Sequence, residues 1–193
     1  MDTKRELAIL PFSSPLDWEK WLSEHHPTSK GLWLKIAKKD AGIATVTYAE
    51  ALDVALCYGW IDGQKGALDD TFWLQKFTPR GARSTWSKVN RAKALALIES
   101  GRMKPAGLAA VEQAQRDGRW ERAYDSQSTA SVPEDLQTEL DKNPEAAAFF
   151  ATLNSVNRYA VLYRVQEAKK PETRARRIEK LVAMLNRREK LHP

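Results

Sequence analysis

Trp60-Ile61-Asp62-Gly63-Gln64-Lys65-Gly66 is followed, four residues on, by Thr71-Phe72-Trp73-Leu74-Gln75-Lys76-Phe77-Thr78. The reading of this stretch decides the fold. In the second run Phe72, Leu74 and Lys76 alternate with Trp73, Gln75 and Phe77, the period of two that gives a strand two different faces. Trp60-Ile61 is a shorter strand-like run. The polar, glycine-rich segment 62–66 reads as an irregular hairpin connection, and Pro79 ends the second strand. Upstream, Gly31-Leu32-Trp33-Leu34-Lys35-Ile36-Ala37-Lys38 reads as another strand, with Leu32, Leu34 and Ile36 on one face and lysines at its bounds. Together these runs predict a small antiparallel sheet.

Helices surround it. Ser14-Pro15-Leu16-Asp17 joins a cap, a first-turn proline and a carboxylate three residues after the cap, and the helix it opens fades near His26-Pro27. Thr47-Tyr48-Ala49-Glu50 is a capping box for a helix that turns Leu52, Ala55 and Leu56 inward and stops at Gly59. Beyond Ser84 the chain is helical in pattern: Ser87–Ser100 before Gly101, Pro105–Asp117 before Gly118, then 133–140, 144–153, 156–168 and 171–187. All seven tryptophans lie at or before Trp120, and 125–131 is polar without periodicity. The fold class expected is therefore α+β, with a small antiparallel sheet and helices in residues 1–124, a linker at 125–132 and an all-helical part at 133–193.

The chain has 193 residues, a net charge of +6, and 42% hydrophobic and 29% charged residues, which excludes a disordered chain, a collagen and a disulfide scaffold. Two segments carry the positive charge. Residues 156–193 hold eleven Lys or Arg against four Glu, and 76–104 hold eight against Glu99 alone. Such asymmetry points either to an anionic partner or to solvated helix faces. The single cysteine, Cys57, permits no intrachain disulfide and reads as a small core residue. Nothing reads as a membrane span or signal peptide, so a cytoplasmic location is expected.

Side chains able to do chemistry concentrate at Trp60, Asp62, Arg80, Arg83, Ser84, Trp86, Ser87 and Asn90, on turns at the ends of predicted strands. A closed hairpin would let Asp62 and Arg80 approach as a charge-assisted pair. Ser87 as a cap would leave backbone N–H groups beside Arg80 and Arg83, an anion site. The same residues also have structural readings: Asp62 as an Asp-Gly turn residue, Ser87 as a cap alone, Arg80 as half of a structural ion pair. A second basic run, Lys169, Lys170, Arg174, Arg176 and Arg177, opens a helix whose buried side is Ile178, Leu181, Val182 and Leu185. His25, His26 and His192 have no ligand spacing, so no metal and no cofactor are expected. Gly-x-Ser-x-Gly and P-loop patterns are lacking.

The runs Ala51-Leu52-Asp53 through Tyr58-Gly59-Trp60-Ile61-Asp62-Gly63, Phe77-Thr78-Pro79-Arg80 and Ser84-x-Trp86-Ser87-x-x-Asn90 resemble the YdeI/OmpD-associated family, also called the bacteriocin-protection family. So do Asn143-Pro144 through Ala168-Lys169 and Pro171-Glu172-Thr173-Arg174-x-Arg176-Arg177-Ile178, which resemble its helical domain. The resemblance covers residues 5–190. It implies a bacterial protein linked to stress and to resistance against cationic antimicrobial peptides, with no established reaction. Three functions follow as expectations. The first is a binding protein with a small-molecule or peptide ligand at the Trp60–Trp86 corner, or a protein partner. The second is a nucleic-acid binder using 76–104 and 156–193, the less favoured. The third is an enzyme on an anionic substrate, with Asp62 as acid or base and Arg80 as clamp.

Overall fold

The computed structural model describes residues 7–126 and 130–193, which form two compact units that divide between Ala123 and Tyr124. In the first unit the order is β1 (Ile9–Pro11), α1 (Pro15–His25), β2 (Leu32–Ala37), α2 (Tyr48–Cys57), β3 (Trp60–Ala67), β4 (Phe72–Pro79), α3 (Lys88–Glu99) and α4 (Pro105–Arg116). The second unit holds α5 (Glu134–Asp141), α6 (Pro144–Thr152), α7 (Ser155–Gln166) and α8 (Pro171–Asn186). The predicted linker 125–132 includes residues 127–129, which lie outside the described residues. Asp125 at its start is bonded within the second unit, its carbonyl accepting from the Tyr159 hydroxyl at 2.9 Å.

The four strands form one sheet in the order β1-β2-β4-β3. β2, β4 and β3 pair antiparallel, as the alternation predicts. β1 adds a parallel edge joined through α1, so the sheet is mixed. The segment 62–66 is not the turn that the glycines suggested. β3 runs through it with a bulge: Asp62 pairs with Phe77 and Lys65 with Gln75, so Gly63 and Gln64 stand opposite Lys76 alone. Gln75 explains why the bulge holds. Its side chain is buried, and its amide N–H groups reach the carbonyls of Gly63 and Gln64 at 2.9 and 3.3 Å. A buried amide has to find such partners. The reversal lies at 68–71 instead, where the Asp69 carboxylate accepts from the backbone N–H groups of Thr71 and Phe72 at 2.8 and 2.7 Å.

The core forms on one face of the sheet. Leu32, Leu34, Ile36 and Phe77 meet Trp18 and Leu22 of α1 and Ala51, Leu52 and Ala55 of α2. Trp18 is fully buried. It packs against Phe12, Trp21, Trp60 and Phe77, and its indole N–H donates to the Ala51 carbonyl at 3.0 Å. The caps read in the sequence are present at Ser14, Thr47 and Ser87. α3 departs from its pattern. Apolar residues surround it, and only Ala94 and Leu97 are buried, leaving Val89, Leu95 and Ile98 exposed.

The second unit closes on Leu136, Leu140, Phe150, Val161, Val165, Ile178, Leu181 and Leu185. Its one buried polar side chain, Asn157, pins the C-terminus: the Asn157 amide oxygen accepts from the His192 N–H at 2.9 Å, and its amide nitrogen donates to the His192 carbonyl at 3.2 Å. Asn157→Ala leaves both tail groups without a partner and is expected to cost about 2 kcal/mol. Hydrogen exchange at His192 measures this, and an exchange rate equal to wild type would contradict it.

Candidate functional site

The structure places the corner residues as follows. β4 ends at Pro79, and the Arg80 N–H closes the ladder onto the Gly59 carbonyl at 3.0 Å. The Arg80 guanidinium lies flat on the Trp86 indole, 3.5 Å from the ring centre, and one of its N–H groups donates to the Thr85 carbonyl at 3.2 Å. Trp86 is buried edge-to-face against Trp120 at 4.9 Å. The Ser84 hydroxyl accepts from the Gly81 N–H, and the Ser84 carbonyl accepts from Arg119 at 2.7 Å. The Ser87 hydroxyl caps α3 by accepting from the Asn90 N–H at 3.1 Å. Asn90 is half-buried on the first turn, and Arg83 is exposed. Arg80, Ser84, Trp86 and Ser87 thus fasten the loop between β4 and α3.

Trp60 and Asp62 belong elsewhere. Trp60 is buried, edge-on to Trp18 and Trp21. The expected Asp62–Arg80 pair does not form, because the register sets Asp62 opposite Phe77, three positions down the ladder from Arg80. Asp62 accepts instead from the Tyr48 hydroxyl at 2.8 Å. In the second unit Arg174 holds Asp135 with two N–H groups and the Val165 carbonyl with a third, at 2.8 Å. Arg177 donates to the Arg164 carbonyl at 2.6 Å. Lys169, Lys170 and Arg176 are exposed, and Lys170 is the residue preceding the first turn of α8. The buried side of α8 is Ile178, Leu181, Val182 and Leu185, as its spacing predicts.

Cys57 is buried beside a cavity of about 110 Å³ lined also by Glu19, Val54, Arg102 and Lys104, and burial pushes its thiol up. Among the described residues no group of three or more His, Cys, Asp or Glu side chains is placed to hold a metal ion, and no helix is long and apolar enough to cross a membrane.

The sequence reading missed the other face of the sheet. Alternation sends Trp33 and Lys35 of β2, and Phe72, Leu74 and Lys76 of β4, to the side opposite the core. Leu74 is buried yet stands apart from the core cluster, shielded by its own neighbours. The sheet holds three lysines, and each has its ammonium over an aromatic ring: Lys35 over Phe72 at 3.9 Å, Lys65 over Trp73 at 4.4 Å and Lys76 near Trp33 at 5.9 Å. The only carboxylate in the four strands is Asp62, which shares the core face with Trp60 and Phe77. Where the ends of β2 and β3 meet the start of β4, an open hollow of about 600 Å³ is lined by Lys38, Lys39, Lys65, Gly66, Ala67 and Trp73.

Six carboxylates are held below their usual range by donors, chiefly Ser13 and Ser14 at Asp17, Thr47 at Glu50, the Phe72 N–H at Asp69, Arg119 at Asp117, Arg174 at Asp135 and Arg187 at Glu189. Asp117 falls to about 2. A carboxylate with a depressed folded value stabilises fully above its unfolded value, near 4, and loses that contribution as pH falls through the folded one. Melting temperature is therefore expected to hold between pH 7 and about 5 and to drop between about 4 and 2. An undiminished melting temperature at pH 3 would contradict this.

The architecture defines an α+β unit with a mixed four-stranded sheet, followed by a helical unit. Residues 10–110 match the model of a domain of unknown function, DUF8412; this is just over half of the chain, and the chain belongs to that family. Residues 129–188 match the model described as bacteriocin-protection, YdeI or OmpD-associated, which bears out the family resemblance on the second unit. Neither a curated protein nor a solved structure matches the chain.

Proposed function

We propose that this protein works by binding a polyanionic partner across the open face and free edge of its sheet, and not by turnover. One observation carries the reading: on the open face Lys35 and Lys76 lie by the aromatic rings of Phe72 and Trp33, while the strands' only carboxylate, Asp62, is on the other face and bonded to Tyr48. Lysines held over rings present charge on a rigid platform, and a surface of one sign attracts a partner of the other.

The cellular setting we assign is the cytoplasm of a bacterium, in stress or antimicrobial-peptide resistance; the words bacteriocin-protection in the description of the domain matched by the second unit support the resistance role. A chain of net charge +6 repels a cationic peptide, so protection would act through an anionic cell component rather than by soaking up the peptide.

Heparin affinity chromatography tests the binding. The triple variant Lys35→Gln/Lys65→Gln/Lys76→Gln is expected to elute at clearly lower salt than wild type. Lys169→Gln/Lys170→Gln/Arg176→Gln, which removes the exposed cations at the start of α8, is expected to elute with wild type. Elution shifted only by the second variant would move the site to the helical unit and overturn this reading.

A second reading keeps the loop before α3 as a site for a small anion, favoured by the exposed Arg83 beside a first helical turn that contains no acidic residue. A phosphate-induced rise in melting temperature that Arg83→Ala abolishes would support it.

A further inference from the structure

Resting on the proposed polyanion site, we infer that its ligand is single-stranded nucleic acid, held by base stacking on Trp33 and by phosphate contacts to the lysines of the open face and of the hollow beside it. The key contact is at Gly66. A side chain at this position would meet Trp33 Cζ3 at 3.7 Å and Leu74 Cβ at 3.6 Å, so the Trp33 indole reaches across β4 onto bare β3 backbone. Gly66 also lines the hollow that Trp73 lines. The two indoles stand on opposite faces of the sheet at this end of the strands, Trp33 on the open face and Trp73 on the face that carries the core.

Trp33 has the accessibility that stacking needs, whereas the Trp73 ring carries the Lys65 ammonium at 4.4 Å. Trp33 and Trp73 are half-buried, and Trp33 stands outside the hydrophobic core. Trp73 packs partly on the core, which fixes its plane. Lys38, Lys39 and Lys65 are exposed at the hollow, and Lys35 and Lys76 flank the open face. The carboxylates nearby in sequence are Asp40, Asp62, Asp69 and Asp70; Asp62 accepts from the Tyr48 hydroxyl, and Asp69 from the backbone of its own turn.

Stacking platforms joined by a cationic track are what an unpaired strand uses and a duplex does not. Every base offers a ring face once unstacked, whereas a duplex keeps its bases inside. A sulfated sugar polymer or polyphosphate would engage the same lysines but has nothing to lay on an indole. The chemistry of this surface therefore favours a strand with exposed bases and little sequence preference.

The test uses the full chain and fluorescence anisotropy, with labelled twenty-residue oligothymidylate, the matching duplex and labelled heparin, each titrated at ~50 mM salt and above. Oligothymidylate is expected to bind more tightly than the duplex. Trp33→Leu, at a position outside the core, is expected to weaken oligothymidylate about tenfold, in keeping with the loss of one base–ring stack, and to leave heparin unchanged. Lys38→Gln/Lys39→Gln/Lys65→Gln is expected to weaken both ligands and to lower the salt slope by about 2, the value for three lost phosphate contacts. Equal binding of all three ligands with no effect of Trp33→Leu would overturn the nucleic-acid assignment and leave the polyanion reading standing. No binding of any of them at ~50 mM salt would overturn both.

Discussion

Trp18→Ala is expected to destabilise the first unit by about 4 kcal/mol and to lower its melting temperature by about 15 °C. The residue earns this by position. It is fully buried where α1 crosses the sheet, and four aromatic rings lie against it, with centres 5.2 to 6.2 Å away. Removing the indole empties a volume that the rigid rings of Trp60 and Phe77 cannot refill, because each is fixed by its own strand. Trp18→Phe separates packing from polarity. It keeps a ring but loses the bond to the Ala51 carbonyl, at an expected cost of about 2 kcal/mol. Tryptophan emission is the readout, since every tryptophan lies in the first unit. Equal melting of Trp18→Ala and wild type would contradict the placement of the core.

The second large effect is expected at Gly107, on the first turns of α4. A Cβ there would stand 2.4 Å from the Cys57 carbonyl oxygen and 2.3 Å from the Met103 sulfur. The thioether can move, but the carbonyl belongs to the last turn of α2 and accepts from the Lys104 N–H at 3.1 Å. Gly59, with φ +70°, brings the chain out of that turn against the Ala106 carbonyl. Two glycines thus allow α2 and α4 to meet backbone to backbone. Gly107→Ala pushes them apart and is expected to cost about 3 kcal/mol, although alanine is the better helix former. Denaturant melts of the two proteins decide it, and a neutral or stabilising substitution would show that the contact yields.

What the sequence made legible is local. Ser14-Pro15 and Thr47…Glu50 announce their helices because cap, proline and carboxylate act within one turn. Asn143-Pro144 and Lys170-Pro171 do the same for α6 and α8. What stayed hidden depends on partners far along the chain. β1 is three residues long and acquires meaning only by lying beside β2. The bulge looked like a turn, because the residue that stabilises it, Gln75, is eleven positions beyond Gln64. The pairing of Asp62 with Arg80 neglected the register, which sets Asp62 opposite Phe77, and Tyr48, fourteen residues upstream.

The lysine and aromatic face was hidden for a different reason. Alternation assigned Trp33 and Lys35 to the face away from Leu32, Leu34 and Ile36, but only the packing of α1 and α2 decides which face is left open. Lys65 reaches Trp73 because the bulge shifts the register by one residue. The C-terminal arginines show the reverse. Their spacing was plain, yet Arg174 and Arg177 are occupied by Asp135 and by backbone carbonyls of the same unit.

The burial of Cys57 turns the protein into its own clock. The only thiol in the chain sits under the contact between α2 and α4, where burial disfavours the thiolate that reacts. A soluble disulfide reagent modifies it when the packing around the end of α2 opens. The rate of modification in native buffer therefore counts those openings, one unit at a time, since the helical unit contains no cysteine. Run on Gly107→Ala, the same reaction reports how far a single methyl group loosens the seam, without a denaturant and while the remainder of the fold stays intact.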